Sequence, residues 1–190
     1  EAVVGALALG AALATALLNR TLFGEAHPYG RSAMPVTVRA ITRDDLVAFH
    51  RARFATGNAA FVVVGDVTAA SLLPVLEARF GAAAWPASAG TASATVAPTR
   101  QVAGRTIAFV DKPGAAQSVI RIGRIGAARS TDDYYALQVL NAILGGSFTS
   151  RLNQNLRETH GYAYGASSMF AFRPVAGPFL AASNVQTDAT

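Results

Sequence analysis

The sequence predicts an α+β fold: a largely antiparallel sheet with helices packed on it. Three observations lead there. Beyond the first strand, the predicted strands come in adjacent pairs instead of alternating strictly with helices. Helical stretches with capping residues separate those pairs. One stretch rich in Ala, Ser, Thr, Pro and Gly, from Ala82 to Arg100, divides the chain.

The chain has 190 residues, of which 52% are hydrophobic, which suffices for a real core. Residues Ala2 to Leu22 predict a first helix stopped by Gly24, with Leu9, Leu13 and Leu17 on its buried face. Its apolar start raises the question of a membrane span, but the Ala and Gly content and missing basic flank favour a core helix. His27-Pro-Tyr-Gly30 reads as a turn. Thr42 caps a second helix, with Asp44 and Asp45 at its positive end and Leu46, Phe49 and Phe54 on its apolar face; Gly57 and Asn58 end it.

Phe61 to Val67 predicts a buried strand, because four valines and a phenylalanine stand between turn residues. Thr68 caps a third helix carrying Leu72, Leu73, Val75, Leu76 and Phe80, closed by Gly81. Beyond the linker, Arg105–Val110 and Ser118–Gly123 predict two strands joined by the turn Lys112-Pro-Gly114. Thr131-Asp-Asp133 caps a helix with Tyr134, Leu137, Leu140, Ile143 and Leu144, broken at Gly145-Gly146. A polar helix from Thr149 to Thr159 is stopped by Gly161. The strands Ala163–Phe172 and Phe179–Val185 follow, joined through Pro174, Gly177 and Pro178.

Composition and motifs exclude several chemistries. There is no cysteine, so disulfides and thiolate metal sites are absent. The net charge of +5 comes from arginines scattered singly, with Lys112 the one lysine; no basic cluster marks a nucleic-acid surface. His27, His50 and His160 are the only histidines, and none stands at helical spacing from another, so no H-x-x-E-H or H-x-x-x-H pair exists to hold zinc. Each has an ordinary structural reading, in a turn, on a helix flank and at a helix end. Gly145-Gly-Ser147 follows a helix, whereas a nucleophile elbow follows a strand.

The remaining candidates are Arg157 and Tyr164, seven positions apart on either side of the Gly161 stop. Taken alone, they are a surface arginine and a strand tyrosine. Because the glycine turns the chain between them, both side chains are expected to face one groove. A guanidinium fork beside a phenol suits the grip of a peptide carboxylate or carbonyl.

Several segments carry a family resemblance. They are His27-Pro-Tyr-Gly30, Ile41-Thr-Arg-Asp-Asp-Leu46 with Phe49 and Asn58, and Val62-Val-Val-Gly-Asp-Val67. Further along come Gln117-Ser118, Leu140-Asn-Ala-Ile-Leu-Gly-Gly146, Ser150-Arg-Leu152, and Leu156-Arg-Glu158 through Gly161-Tyr-Ala-Tyr164. Together they resemble the pitrilysin/insulinase family of zinc metallopeptidases, which includes the mitochondrial processing peptidases.

The resemblance implies a metallohydrolase-like sandwich: two homologous α+β domains closing a chamber around an unfolded peptide. It implies that residues 1–82 are the latter part of a first peptidase homology domain, 83–103 a linker, and 104–190 most of a second, inactive one, all within a longer protein. The first domain of such enzymes carries the zinc motif; the second holds the peptide backbone with an Arg and a Tyr, which by motif match are Arg157 and Tyr164. The helix Tyr134 to Leu144 matches the zinc helix but carries Leu, Val, Asn and Ala at the ligand positions. The expected function is therefore a non-catalytic, peptide-binding domain with no cofactor of its own. Zinc and catalysis are expected on a homologous domain or partner subunit, and the setting is expected to be a bacterial periplasm or cell envelope. A purely structural homologue, like core subunits of some respiratory complexes, is the alternative reading.

Overall fold

The computed structural model describes residues 2–54, 59–81 and 95–190, with side chains of the first helix described from residue 10. The chain separates into two compact units: residues 1–32 with 96–190, and residues 33–95. The expected ends of the second helix at Gly57 and Asn58, and the linker over 82–94, lie outside the described residues.

The larger unit is built on a three-stranded antiparallel sheet of order β1–β3–β2, from Gln117–Ile125, Pro178–Gln186 and Ala163–Phe170. Helices cover both faces, so the α+β fold with a largely antiparallel sheet is borne out. Helix α1, Ala2–Phe23, lies on one face. Its phase differs from the expected Leu9, Leu13 and Leu17 stripe. Leu13 is half exposed, whereas Leu22 is buried and Leu18 presses on Gly123 of β1. The side chain of Leu9 lies outside the described residues. Glycines decide the phase: α1 approaches the sheet where Gly10 meets Val119 and Leu18 meets Gly123, positions without a competing side chain. Residues 1–32 thus pack with residues 96–190.

Helix α1 ends as predicted, at Gly24 with φ 74° and its N–H donating to Arg20 O at 2.8 Å. The turn Pro28–Gly30 follows. His27 is fully occupied there: Nδ1 accepts the Tyr29 N–H at 3.1 Å, and Nε2 donates to Ala97 O at 3.0 Å. Phe23 stacks on His27, Tyr29 meets both rings edge-on, and Arg173 lies 4.3 Å from the Tyr29 ring centroid.

The other face carries α5, Tyr134–Asn141, and α6, Arg151–Asn153. Each continues into a π-helical turn, Ala142–Gly146 and Gln154–Thr159. The capping of α5 differs in detail from expectation. Asp133 stands at its N-cap without a side-chain bond, and Thr131 supports the turn before it.

The smaller unit contains α2, Pro35–Arg39, α3, Arg43–Arg53, and α4, Ala69–Phe80. Both predicted caps form. The Thr42 hydroxyl accepts the Asp45 N–H at 3.2 Å, and the Thr68 hydroxyl accepts the Ser71 N–H at 3.2 Å. Gly81 closes α4 with an extended backbone, φ −66° and ψ 169°. A Cβ there would stand 2.3 Å from Glu77 O, so the glycine answers a close approach.

Two predicted strands are not strands. Phe61–Val67 runs without a sheet partner, and Val62 and Val64 are 89% and 94% exposed. Arg105–Val110 is likewise unpaired, with Ile107 and Phe109 each 84% exposed. A β-branched run favours extended backbone, but only a neighbouring ladder makes it a strand. Among the described residues neither run has one.

Candidate peptide-holding site

The site forms where the π turn Gln154–Thr159 meets the start of β2. Gly161 turns the chain with φ 64°. Its N–H donates to Arg157 O at 3.0 Å, and the Tyr162 N–H donates to Leu156 O at 2.9 Å. Both bonds reach one residue further back than in a Schellman close, because the last turn is π-helical. Tyr162 then stacks on His160 with ring centroids 4.9 Å apart.

Strand β2 begins with a bulge. Ala163 faces Val185 and Ala166 faces Ser183, so three steps on β2 oppose two on β3. Buried Asn153 fastens this point. Its Oδ1 accepts the Ala166 N–H at 2.9 Å, and its Nδ2 donates to Ser147 O at 3.2 Å. The Ser183 hydroxyl donates to Gly165 O at 3.0 Å. The polar groups loosened by the bulge are thus satisfied by side chains. Deeper in, the π turn Ala142–Gly146 and β2 approach closely: a Cβ on buried Gly145 would meet Ser168 N. The Ser168 hydroxyl donates to Asn141 Oδ1 at 2.8 Å.

This frame brings Arg157 and Tyr164 together. The guanidinium carbon of Arg157 lies 4.9 Å from the centroid of the Tyr164 ring, and Tyr164 is 85% exposed. Arg157 Nε pairs with Glu158 Oε1 at 3.3 Å. Among the described residues, the two terminal guanidinium nitrogens bond to no protein acceptor. A second aromatic, Phe148, lies 4.5 Å from the same guanidinium. Sequence reasoning missed Phe148. The signal available was an aromatic directly after the Gly145-Gly146 break, where the chain must turn back toward the helix bearing Arg157.

The donor set does not suit a metal. Among the described residues no three of His, Asp and Glu converge. Helix α5 presents Tyr135, Val139 and Leu140 to solvent, and Asn141 is engaged by Ser168. None of these is a zinc ligand of the usual kind. No helix among the described residues is long and apolar enough to cross a membrane.

Comparisons with known proteins agree with this architecture. The sequence profile of the peptidase M16 inactive domain matches residues 40–188. The match spans the 83–103 segment expected to divide two homology domains. An uncharacterized zinc protease of Mycobacterium leprae is 33% identical over 153 residues, covering 77% of this chain and 33% of that protein. An uncharacterized zinc protease of Streptomyces coelicolor is 31% identical over 157 residues, covering 80% of this chain and 34% of that protein. The chain therefore spans about a third of the length of these curated relatives. The crystal structure of a peptidase M16 inactive domain from Pseudomonas fluorescens superposes with a TM-score of 0.81 at 30% identity, covering 93% of this chain and 42% of that one. A protease from Helicobacter pylori shares the fold, with a TM-score of 0.74 at 22% identity over 84% of this chain and 39% of that one. On the profile match and these identities, the chain belongs to the peptidase M16 inactive-domain family of the zinc proteases.

Proposed function

We propose that this chain is a non-catalytic, peptide-holding part of a zinc metallopeptidase and forms part of the wall of its substrate chamber. Arg157 and Tyr164 grip the peptide backbone. The observation that carries this reading is the Arg157 guanidinium beside Tyr164, its two terminal nitrogens free of protein acceptors among the described residues, at the edge strand β2. Two N–H donors and a phenol O–H can hold neighbouring carbonyl oxygens of one extended peptide. Glu158 offsets the arginine charge. The pair therefore suits a neutral carbonyl better than a free carboxylate. An edge strand also offers backbone groups for pairing with an extended substrate.

Zinc belongs, in this proposal, to a homologous domain or subunit, since the residues present here do not fit it. A bacterial periplasmic or envelope setting goes with the family resemblance, and cell fractionation with an antibody to the chain tests it.

The site is tested by steady-state hydrolysis of an internally quenched, unstructured peptide by the complete enzyme with its zinc-bearing partner. Arg157→Ala and Tyr164→Phe are each expected to lower kcat/KM on the order of 100-fold, as when one donor to a reacting carbonyl is removed, with zinc content unchanged. Normal turnover in both variants would leave the chain as a structural homologue and end the grip.

A further inference from the structure

We infer that Phe148 is a positioning residue for Arg157, holding the guanidinium plane so that its terminal donors face the peptide. The inference rests on the peptide-holding reading above and adds a residue to it. A guanidinium on a long side chain samples many rotamers, and a donor that must be ordered at each encounter binds more weakly. Here the head group is constrained from three sides. Phe148 lies 4.5 Å from it, Tyr164 lies 4.9 Å from it, and Glu158 holds Nε at 3.3 Å.

The three contacts are not equivalent. In the proposed site Tyr164, on β2, is itself a substrate ligand. Glu158 adjoins Arg157 in sequence and sits on the same π turn, Gln154–Thr159. Phe148 comes from a third segment, after the π turn Ala142–Gly146, and is not itself a peptide ligand in the proposed site. That segment meets the sheet where Gly145 lies against Ser168, and it is tied to α6 by the Asn153 Nδ2 bond to Ser147 O. Phe148 thereby references the guanidinium to the sheet. The ring is 61% exposed, so filling the core is not its main role.

The test compares Phe148→Leu, which keeps apolar bulk but removes the ring face, with Phe148→Tyr, which keeps the face. Arg157→Ala is run alongside. Two readouts are taken on the complete enzyme: hydrolysis of the same quenched peptide, and the NMR resonance of the Arg157 Nε–H, which a stacked ring shifts. Phe148→Leu is expected to lower kcat/KM about fivefold, the scale of one exposed-to-desolvated cation–π contact. It should also move the Arg157 resonance toward its unstacked position with the melting midpoint unchanged. Phe148→Tyr is expected to restore both readouts. If Arg157→Ala is slow while Phe148→Leu is normal in turnover and resonance, Phe148 does not position the arginine and the grip stands. If Phe148→Leu and Phe148→Tyr are equally slow, bulk and not the ring face matters, which also overturns the inference. If Arg157→Ala turns over normally, the grip itself fails and Phe148 falls with it.

Discussion

The two compact units contain similar apolar runs and treat them differently. In the sheet unit, Leu22, Ile125, Ala163, Ala166 and Val185 are buried. In the unit of residues 33–95, no residue of α2, α3 or α4 is buried, and Leu46, Phe49, Val62 and Val64 are half to nearly fully exposed. The difference is one of partners. Each strand of the sheet has a ladder, and each face a helix to lean on. Among the devices in the smaller unit are the Thr42 and Thr68 caps and the Phe61–Phe80 ring contact at 4.7 Å. An apolar pattern states what a segment needs to cover; it does not supply the cover.

If that contrast is right, the units respond to different injuries. The largest effect is expected at Gly145, where any side chain meets the backbone of β2. Gly145→Val should destabilise the sheet unit by about 3 kcal/mol, read as a lower melting midpoint. A change within error would mean the helix layer can lift off the sheet at no cost. Next comes Asn153→Ala, which leaves the Ala166 N–H without its acceptor. A loss of about 2 kcal/mol in denaturant unfolding is expected, since a buried donor loses its bond.

In the smaller unit the caps should matter more than the apolar residues. Thr42→Ala is expected to cost about 1 kcal/mol of helix stability, measured by circular dichroism. The same cap sets an acid limit. The Thr42 hydroxyl and backbone N–H hydrogen-bond the Asp45 carboxylate and hold its carboxyl below the usual aspartate value. A lowered folded value means the contribution is present above the unfolded value and lost as pH falls through the folded one. The helical signal of α3 should therefore fade on strong acidification, and Asp45→Asn should remove that pH dependence. The smallest effect is expected from Val64→Ser, within about 0.5 kcal/mol, because the side chain is already 94% exposed. A large loss there would show that the run is covered in solution and would break the comparison.

Local chemistry was the legible part of this sequence. Gly24 and Gly161 stop their helices with positive φ, and Thr42 and Thr68 cap theirs, because each device acts within four residues. The predicted strands Ser118–Gly123, Ala163–Phe172 and Phe179–Val185 correspond to 117–125, 163–170 and 178–186, bounded by legible turn residues. The failures are non-local. The phase of α1 was set by the meeting of Gly10 with Val119 and of Leu18 with Gly123 on another element, and Phe61–Val67 lacked a neighbour that no local pattern reveals. The π turns left no mark in composition, since widening a turn by one residue changes which carbonyl is met and not which residue types are used. At the site, the Arg157 and Tyr164 pairing followed from a spacing around one glycine. Phe148 stayed hidden because its contact depends on how two helical segments fold back on β2.

The bond from Asn153 Oδ1 to the Ala166 N–H has a kinetic consequence. That amide is protected by a side chain from α6 and not by the strand beside it. Its hydrogen exchange should follow undocking of the segment 151–159, whereas amides of the central strand follow opening of the whole sheet. The same undocking would carry Arg157 away from Tyr164. One slowly exchanging proton therefore reports how often the proposed peptide grip comes apart.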